Sequence, residues 1–275
     1  MIQLYHNTEM KGLGAPHSHL GQDLAVLLAL DHKRGGFFVD MAANDPYTLS
    51  NTALLEEEAD WKGVCIDATM RSQRHFELSN RTCSFVLALA SEGSTGQTSP
   101  LIFREIEPTS KTPGGWAGIH TLSSVVKAET AGTCWDRMCL SRKQLHTMNV
   151  TVTHRQMLPR SLDDILNEAH APAIIDYLSL DVEGHETKVL RGLCSHSVRV
   201  LTIERPDREA RGLLGGRLGM VRTCNFSYGE ELWLSHTLSA AVADRYPDLG
   251  KRSLTLCRNA SRDLKARKRS SRPHT

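Results

Sequence analysis

The sequence predicts a Rossmann-like, doubly wound α/β fold: a mostly parallel seven-stranded sheet with an antiparallel end strand. Three observations lead there. Short apolar runs recur with helix-length segments between them. Two of these runs, ending at Asp40 and Leu180, pass into acidic residues and then into a helix. The last two, 219–224 and 231–235, are divided only by a turn at Ser227-Tyr228-Gly229. Brief apolar runs bounded by turn signals are buried strands, and strands alternating with helices pair in parallel through right-handed crossovers.

The elements follow in order. Leu20, Leu24, Leu27 and Leu28 share one face of a helix over 20–30, which Gly35-Gly36 ends. Phe37–Met41 is a fully buried strand. Asp45 as N-cap and Pro46 at the first helical position start a helix that runs to about Ala59. Trp61-Lys62-Gly63 turns the chain into strand 64–67, then helix 70–79 and strand 84–90 complete half of a doubly wound sheet. Residues 91–148 are different: SEGSTGQTSP and EPTSKTPGGWAG have weak periodicity and read as a loop-rich insertion or lid. Strand 150–154 and a helix opened by Ser161, at capping-box spacing from Asp164, restore order. Strand 174–180, helix 184–193, strand 198–203 and the antiparallel pair close the domain.

Composition sets the limits. With 40% hydrophobic and 23% charged residues, the chain is of ordinary globular type, and one domain over 1–250 accommodates the pattern. The apolar run Leu24–Leu30 is too short to cross a bilayer, and no basic-then-apolar leader is visible at the N-terminus. Residues 251–275 carry nine Lys/Arg against Asp263 alone, a net +8, which leaves about −6 for the body within the chain's +2. Such a tail can attract nucleic acid or anionic membrane, though a solvated, disordered terminus is the simpler expectation. The seven cysteines have no zinc-type spacing and most are expected to be reduced and structural, with Cys65 acting as a small hydrophobe in its strand. Sequons at Asn80, Asn149, Asn225 and Asn259 suit a lumenal protein instead, so cytoplasmic and lumenal readings both stand.

The chemistry concentrates where strands end. The first strand-to-helix loop carries Asp40, Ala42 and Asn44 and lacks the G-x-G-x-x-G of a dinucleotide site, which disfavours a nicotinamide oxidoreductase. S-adenosyl-L-methionine (SAM) fits such a loop better, because it has no diphosphate and its sulfonium is positive beside Asp40. Asp67 ends the second strand 27 residues later, where a carboxylate can accept ribose hydroxyls. Asp181, Glu183 and His185 follow the 174–180 strand. A carboxylate or imidazole there can take a proton from an acceptor hydroxyl. Asp181 and Glu183 also offer oxygen ligands to a divalent cation, but no spacing demands a metal. Glu204 is a further candidate for acceptor contacts, and Trp116 and His120 could sit on a flap over the substrate.

Taken together, GQDLAVLLAL, GGFFVDMAANDPYTLSNT, LLEEEADWKGVCIDA, NRTC, SLDDIL and IDYLSLDVEGHETKVLRG resemble the FkbM-type methyltransferases. The likeness covers roughly residues 18–90 and 150–236, including Leu218-Gly219. It implies a Rossmann-like, SAM-dependent enzyme that methylates hydroxyl groups on sugars and small metabolites. SAM would be held at Asp40, Ala42, Asn44 and Asp67, with Asp181, Glu183 and His185 at the reaction centre. Four positions depart from the family's usual pattern: Ala42 and Pro46 stand where it has glycines, and Asp67-Ala68 where it commonly has Glu-Pro. A loop that needs positive φ resists alanine. A second reading is therefore a degenerate, non-catalytic binding module, and a third is an RNA-directed methyltransferase recruited by the basic tail.

Overall fold

Alternation along Phe37–Met41 (β1) sets the frame of the computed structural model, which describes residues 16–93, 99–109, 123–126, 147 and 149–245. Phe38 packs on one face of the sheet with Leu24, Leu27, Leu54, Trp61 and Tyr177. Val39 and Met41 pack on the other with Ile66, Leu162, Leu178 and Ile203. A strand buried on both faces needs helices on both sides, and that is the layer arrangement of a doubly wound sheet.

The other six strands of this sheet are β2 (Lys62–Asp67), β3 (Ser84–Leu87), β4 (Ile174–Leu180), β5 (Ser197–Glu204), β6 (Met220–Asn225) and β7 (Glu230–Ser235). Their order across the sheet is β3-β2-β1-β4-β5-β7-β6. β7 pairs antiparallel with both β5 and β6, and the remaining pairs are parallel. The sequence expectation of a seven-stranded, mostly parallel sheet is met. Order reverses between β1 and β4, where Asp40 lies beside Ser179 in register. Helices α1 (Gln22–Ala29), α2 (Ala53–Ala59), α3 (Met70–Glu77), α4 (Leu162–Glu168), α5 (Glu186–Arg191), α6 (Arg208–Gly212) and α7 (His236–Arg245) accompany the strands. Ser161 caps α4, its hydroxyl accepting from Asp164 N–H at 3.0 Å. Gly36 admits Trp61: a Cβ there would lie 2.5 Å from the indole ring.

Four expectations need correction. First, α2 begins at Ala53 rather than near Asp45. Asp45 does accept from the Tyr47 and Thr48 amides, but Leu49 is left-handed (φ 63) and bridges to Ser18. The turn therefore closes without propagating into a helix. Second, the strand expected over 84–90 breaks at Ala88, whose N–H donates to Asp67 O at 2.9 Å. Leu89–Ser91 then pairs with Pro159–Ser161. Third, the described part of 91–148 is ordered. Leu101–Pro108 forms an antiparallel sheet with Ser124–Val126 and with Val150–Met157, so the strand expected at 150–154 lies outside the main sheet. Arg104 and Glu105 interrupt the apolar pattern of Leu101–Pro108, yet both are buried, and Glu105 pairs with Arg155 at 3.3 Å.

Fourth, Cys65 is disulfide-bonded to Cys83, joining β2 to the segment that enters β3, and Cys224 also takes part in a disulfide. Among the described residues Cys194 is free and exposed. No described helix is long and apolar enough to cross a membrane. Trp116, His120, Asn259 and the basic tail 251–275 lie outside the described residues.

Candidate active site

A cavity of about 380 Å³ opens beyond the carboxyl ends of β1, β2 and β4, where doubly wound sheets hold their ligands. Asp40, Ala42, Asn44, Asp67, Asp181, Glu183 and His185 all line it, and so does Glu204. Residues some 140 positions apart in the chain thus line one cavity, because β1 and β4 are neighbours. The cavity also takes residues that the sequence did not single out, chiefly His19, Gln22, Asn51, Phe103, Tyr228 and Glu230.

One half is built by β1 and β2. Asp40 is buried and its Oδ2 accepts from the Thr52 hydroxyl at 2.6 Å. Burial raises its carboxyl above the ordinary range, against the lowering effect of Thr52 and Arg81. Arg81 holds Thr52 in turn, donating to its Oγ1 at 2.8 Å. Asp67 is committed to its own loops: Oδ2 accepts from Asn44 N–H at 2.8 Å, and Oδ1 accepts from the Thr69 amide and hydroxyl, both at 2.7 Å. The Ser72 hydroxyl also bonds this carboxylate, so most of its capacity of about four acceptor positions is used within the chain. Asn51 donates from Nδ2 to Ser179 Oγ at 3.0 Å, while its Oδ1 is buried without a partner. Buried acceptors in native proteins are nearly always satisfied, so this atom is available to a ligand.

Ala42 and Asn44 both adopt left-handed backbone, at φ 57 and φ 52. Asn tolerates this and alanine does not. Ala42→Gly is expected to stabilise the fold by about 1 kcal/mol. Denaturant midpoints of the two proteins measure it, and an unchanged or lowered midpoint would show the loop to be unstrained.

The other half follows β4. Glu183 (φ 52) and Gly184 (φ 96) reverse the chain, and Glu186 at the start of α5 folds back to accept from the Val182 and Gly184 amides at 3.3 and 3.0 Å. The oxygens of Asp181, Glu183 and Glu204 come within 4.8 Å of one another. Asp181 opens onto the cavity and is itself exposed there; the partial loss of water in the cavity wall, then the charges of Glu204 and Glu183, raise its carboxyl above the usual range. His185 goes the other way: burial and Lys188 bring it down to about 4, and its Nε2 sits 3.0 Å from Ser91 Oγ. Glu230, buried and bonded by Gln22 Nε2 at 2.5 Å, is raised to about 7. At the rim, Tyr228 is 67% exposed and stacks on His19 with ring centroids 5.6 Å apart.

Residues 40–228, more than half of the chain, match the methyltransferase FkbM domain. The chain belongs to the FkbM methyltransferase family. No curated protein matches it closely. Within this FkbM methyltransferase domain, the electrostatics divide the two candidate proton acceptors. A base whose conjugate acid titrates near 4 is weak at neutral pH, whereas a carboxylate raised above its ordinary range is strengthened. Asp181 is therefore better suited than His185, which stays neutral and packs against Ser91.

Glu230 should also stabilise the FkbM domain in acid and lose that effect as the medium reaches neutrality. Glu230 keeps its proton in the fold up to about pH 7, while in the unfolded chain it ionises near its ordinary value of 4.5. Its contribution is complete below that value and is lost as pH rises through 7, an effect of up to about 3 kcal/mol. Asp40, Asp67 and Glu186 are shifted in the same direction, while His185, brought down to about 4, works the other way and gains stability as pH rises towards 6.5. The Glu230 contribution is therefore read as the wild-type midpoint minus that of Glu230→Gln, which should be larger at pH 5.5 than at pH 8. An equal difference at the two pH values would refute the assignment.

Proposed function

We propose that this protein uses SAM to methylate a hydroxyl group on a small metabolite or glycan. The observation that carries the reading is a single cavity with an unpartnered buried acceptor, Asn51 Oδ1, on one side and the crowded carboxyl of Asp181 on the other. The residues present fit the cofactor's chemistry. Asp40 suits the neighbourhood of a cation, Asn51 Oδ1 would accept from an ammonium group, and Asp67, where it lines the cavity, would accept from a ribose hydroxyl. When bound, SAM supplies an electrophilic methyl group.

The chain's own residues position the acceptor and handle its proton. Holding a hydroxyl in line for transfer removes much of the entropic barrier. Asp181 takes the hydroxyl proton, and repulsion from Glu204 and Glu183 falls as it does so. The Tyr228–His19 stack offers a flat apolar surface to one face of a sugar ring, while Glu204 and Glu183 offer acceptors to its hydroxyls. Calorimetric titration with SAM is the direct test, and no heat at submillimolar concentration would remove the cofactor assignment. Transfer of labelled methyl to a panel of glycans and hydroxylated metabolites tests the acceptor class.

The strained Ala42 favours a second reading, a binding module that has lost catalysis. SAM binding without transfer to any acceptor would support it, and detectable transfer would exclude it. Recruitment of nucleic acid by the tail predicts a steep fall of RNA affinity with salt. RNA binding that survives deletion of residues 251–275 would end that possibility.

A further inference from the structure

We propose that this protein is N-glycosylated at Asn80, Asn149 and Asn225, in an oxidising compartment that also keeps its disulfides. Two independent features of the molecule converge on this. The first is redox state. Cys65 and Cys83 are buried and bonded to each other, and Cys224 is disulfide-bonded as well. Thiol-reducing compartments do not maintain such bonds, whereas secretory lumens do.

The second is the placement of the acceptor sequences. Asn80-Arg81-Thr82 lies in the irregular link between α3 and β3, Asn149-Val150-Thr151 enters the Val150–Met157 strand, and Asn225-Phe226-Ser227 leaves β6. All three asparagines are exposed, and so are Thr82, Thr151 and Ser227. The side-chain amides of Asn80 and Asn225 make no hydrogen bond with the described residues. None of the three asparagines lines the cavity, so a glycan at each leaves the active-site walls intact. Two of the sequons adjoin a disulfide: Thr82 precedes Cys83, and Asn225 follows Cys224.

The donor class is an oligosaccharide linked through diphosphate to a lipid. The asparagine side-chain nitrogen bonds to the sugar's anomeric carbon, the carbon–oxygen bond to the diphosphate breaks, and the lipid diphosphate leaves. The amide gives up one proton and no electrons are exchanged.

The test uses the protein from its own gene, tagged at its locus and purified from its own cells. Peptide mass spectrometry should find hexose-containing glycopeptides at Asn80, Asn149 and Asn225, and digestion without reductant should yield the Cys65–Cys83 cross-linked pair. Asn80→Gln, Asn149→Gln and Asn225→Gln should each remove one glycan from the intact mass, whereas Asn167→Gln, outside any sequon, should remove none. Unmodified asparagine at all three positions in the mature protein overturns the proposal, whatever the state of the cysteines. The outcome is independent of whether the protein transfers methyl groups.

Discussion

Arg81→Leu is expected to remove about 3–5 kcal/mol of folding stability, the range for a buried ion pair that loses one partner. Arg81 and Glu56 pair at 2.9 Å with side chains only 2% and 6% exposed. The same guanidinium donates to Pro46 O, to Ser50 Oγ at 3.1 Å and to Thr52 Oγ1, and lies over the rings of Phe38 and Phe76. Leucine would fill much of the volume but leave Glu56 charged and stranded. Glu56 also accepts from the Thr82 and Cys83 amides, so the double variant Arg81→Leu/Glu56→Leu should recover only part of the loss. For a domain of this size the single change should lower the melting temperature by about 10 °C or more. A urea midpoint shift worth under about 1 kcal/mol would mean that the pair contributes little. Through Thr52 the same variant frees Asp40, so SAM affinity should fall as well.

Asp181→Asn should lower methyl transfer by about 10²–10⁴-fold, the usual range for loss of a general base. The fold should be unharmed, because asparagine removes one of three crowded negative charges. In the wild type the rate should rise with pH as the elevated Asp181 carboxyl ionises, and this limb should vanish in the variant. His185→Asn is the comparison, expected to cost far less because its imidazole is neutral and directed at Ser91. Asp181→Asn that retains transfer within tenfold of wild type, or keeps the pH limb, would move the proton elsewhere.

The parts of this molecule that a sequence discloses are those written in consecutive residues. β1, β2, β4 and β5 are short apolar runs, and each hands over to an acidic residue at its end. The seven residues expected at the site consequently line one cavity. Ser161 was legible for the same reason, since a cap acts three positions along. What stayed hidden is set by distant partners. Arg104 and Glu105 look like loop residues until Ser124 and Arg155 are placed against them. Cys65 has the neighbours of any core hydrophobe, and only the fold brings Cys83 to it, 18 residues away. Asn51 belongs to an unremarkable polar turn whose significance depends on Ser179, contributed by a strand 128 positions on. The sequence puts the start of α2 too early because capping chemistry at Asp45 is local and real, while the bridge from Leu49 to Ser18 is not local.

Asp67 gives most of its hydrogen-bonding capacity to Asn44 and Thr69, and this shapes selectivity. The loop that would embrace a nucleoside is held in its final form before any ligand arrives, so binding entails little ordering and the affinity is preorganised. The same commitment leaves little of the carboxylate for a sugar. On the proposed reading, discrimination at that end would rest less on Asp67 itself than on the shape of the loop it holds.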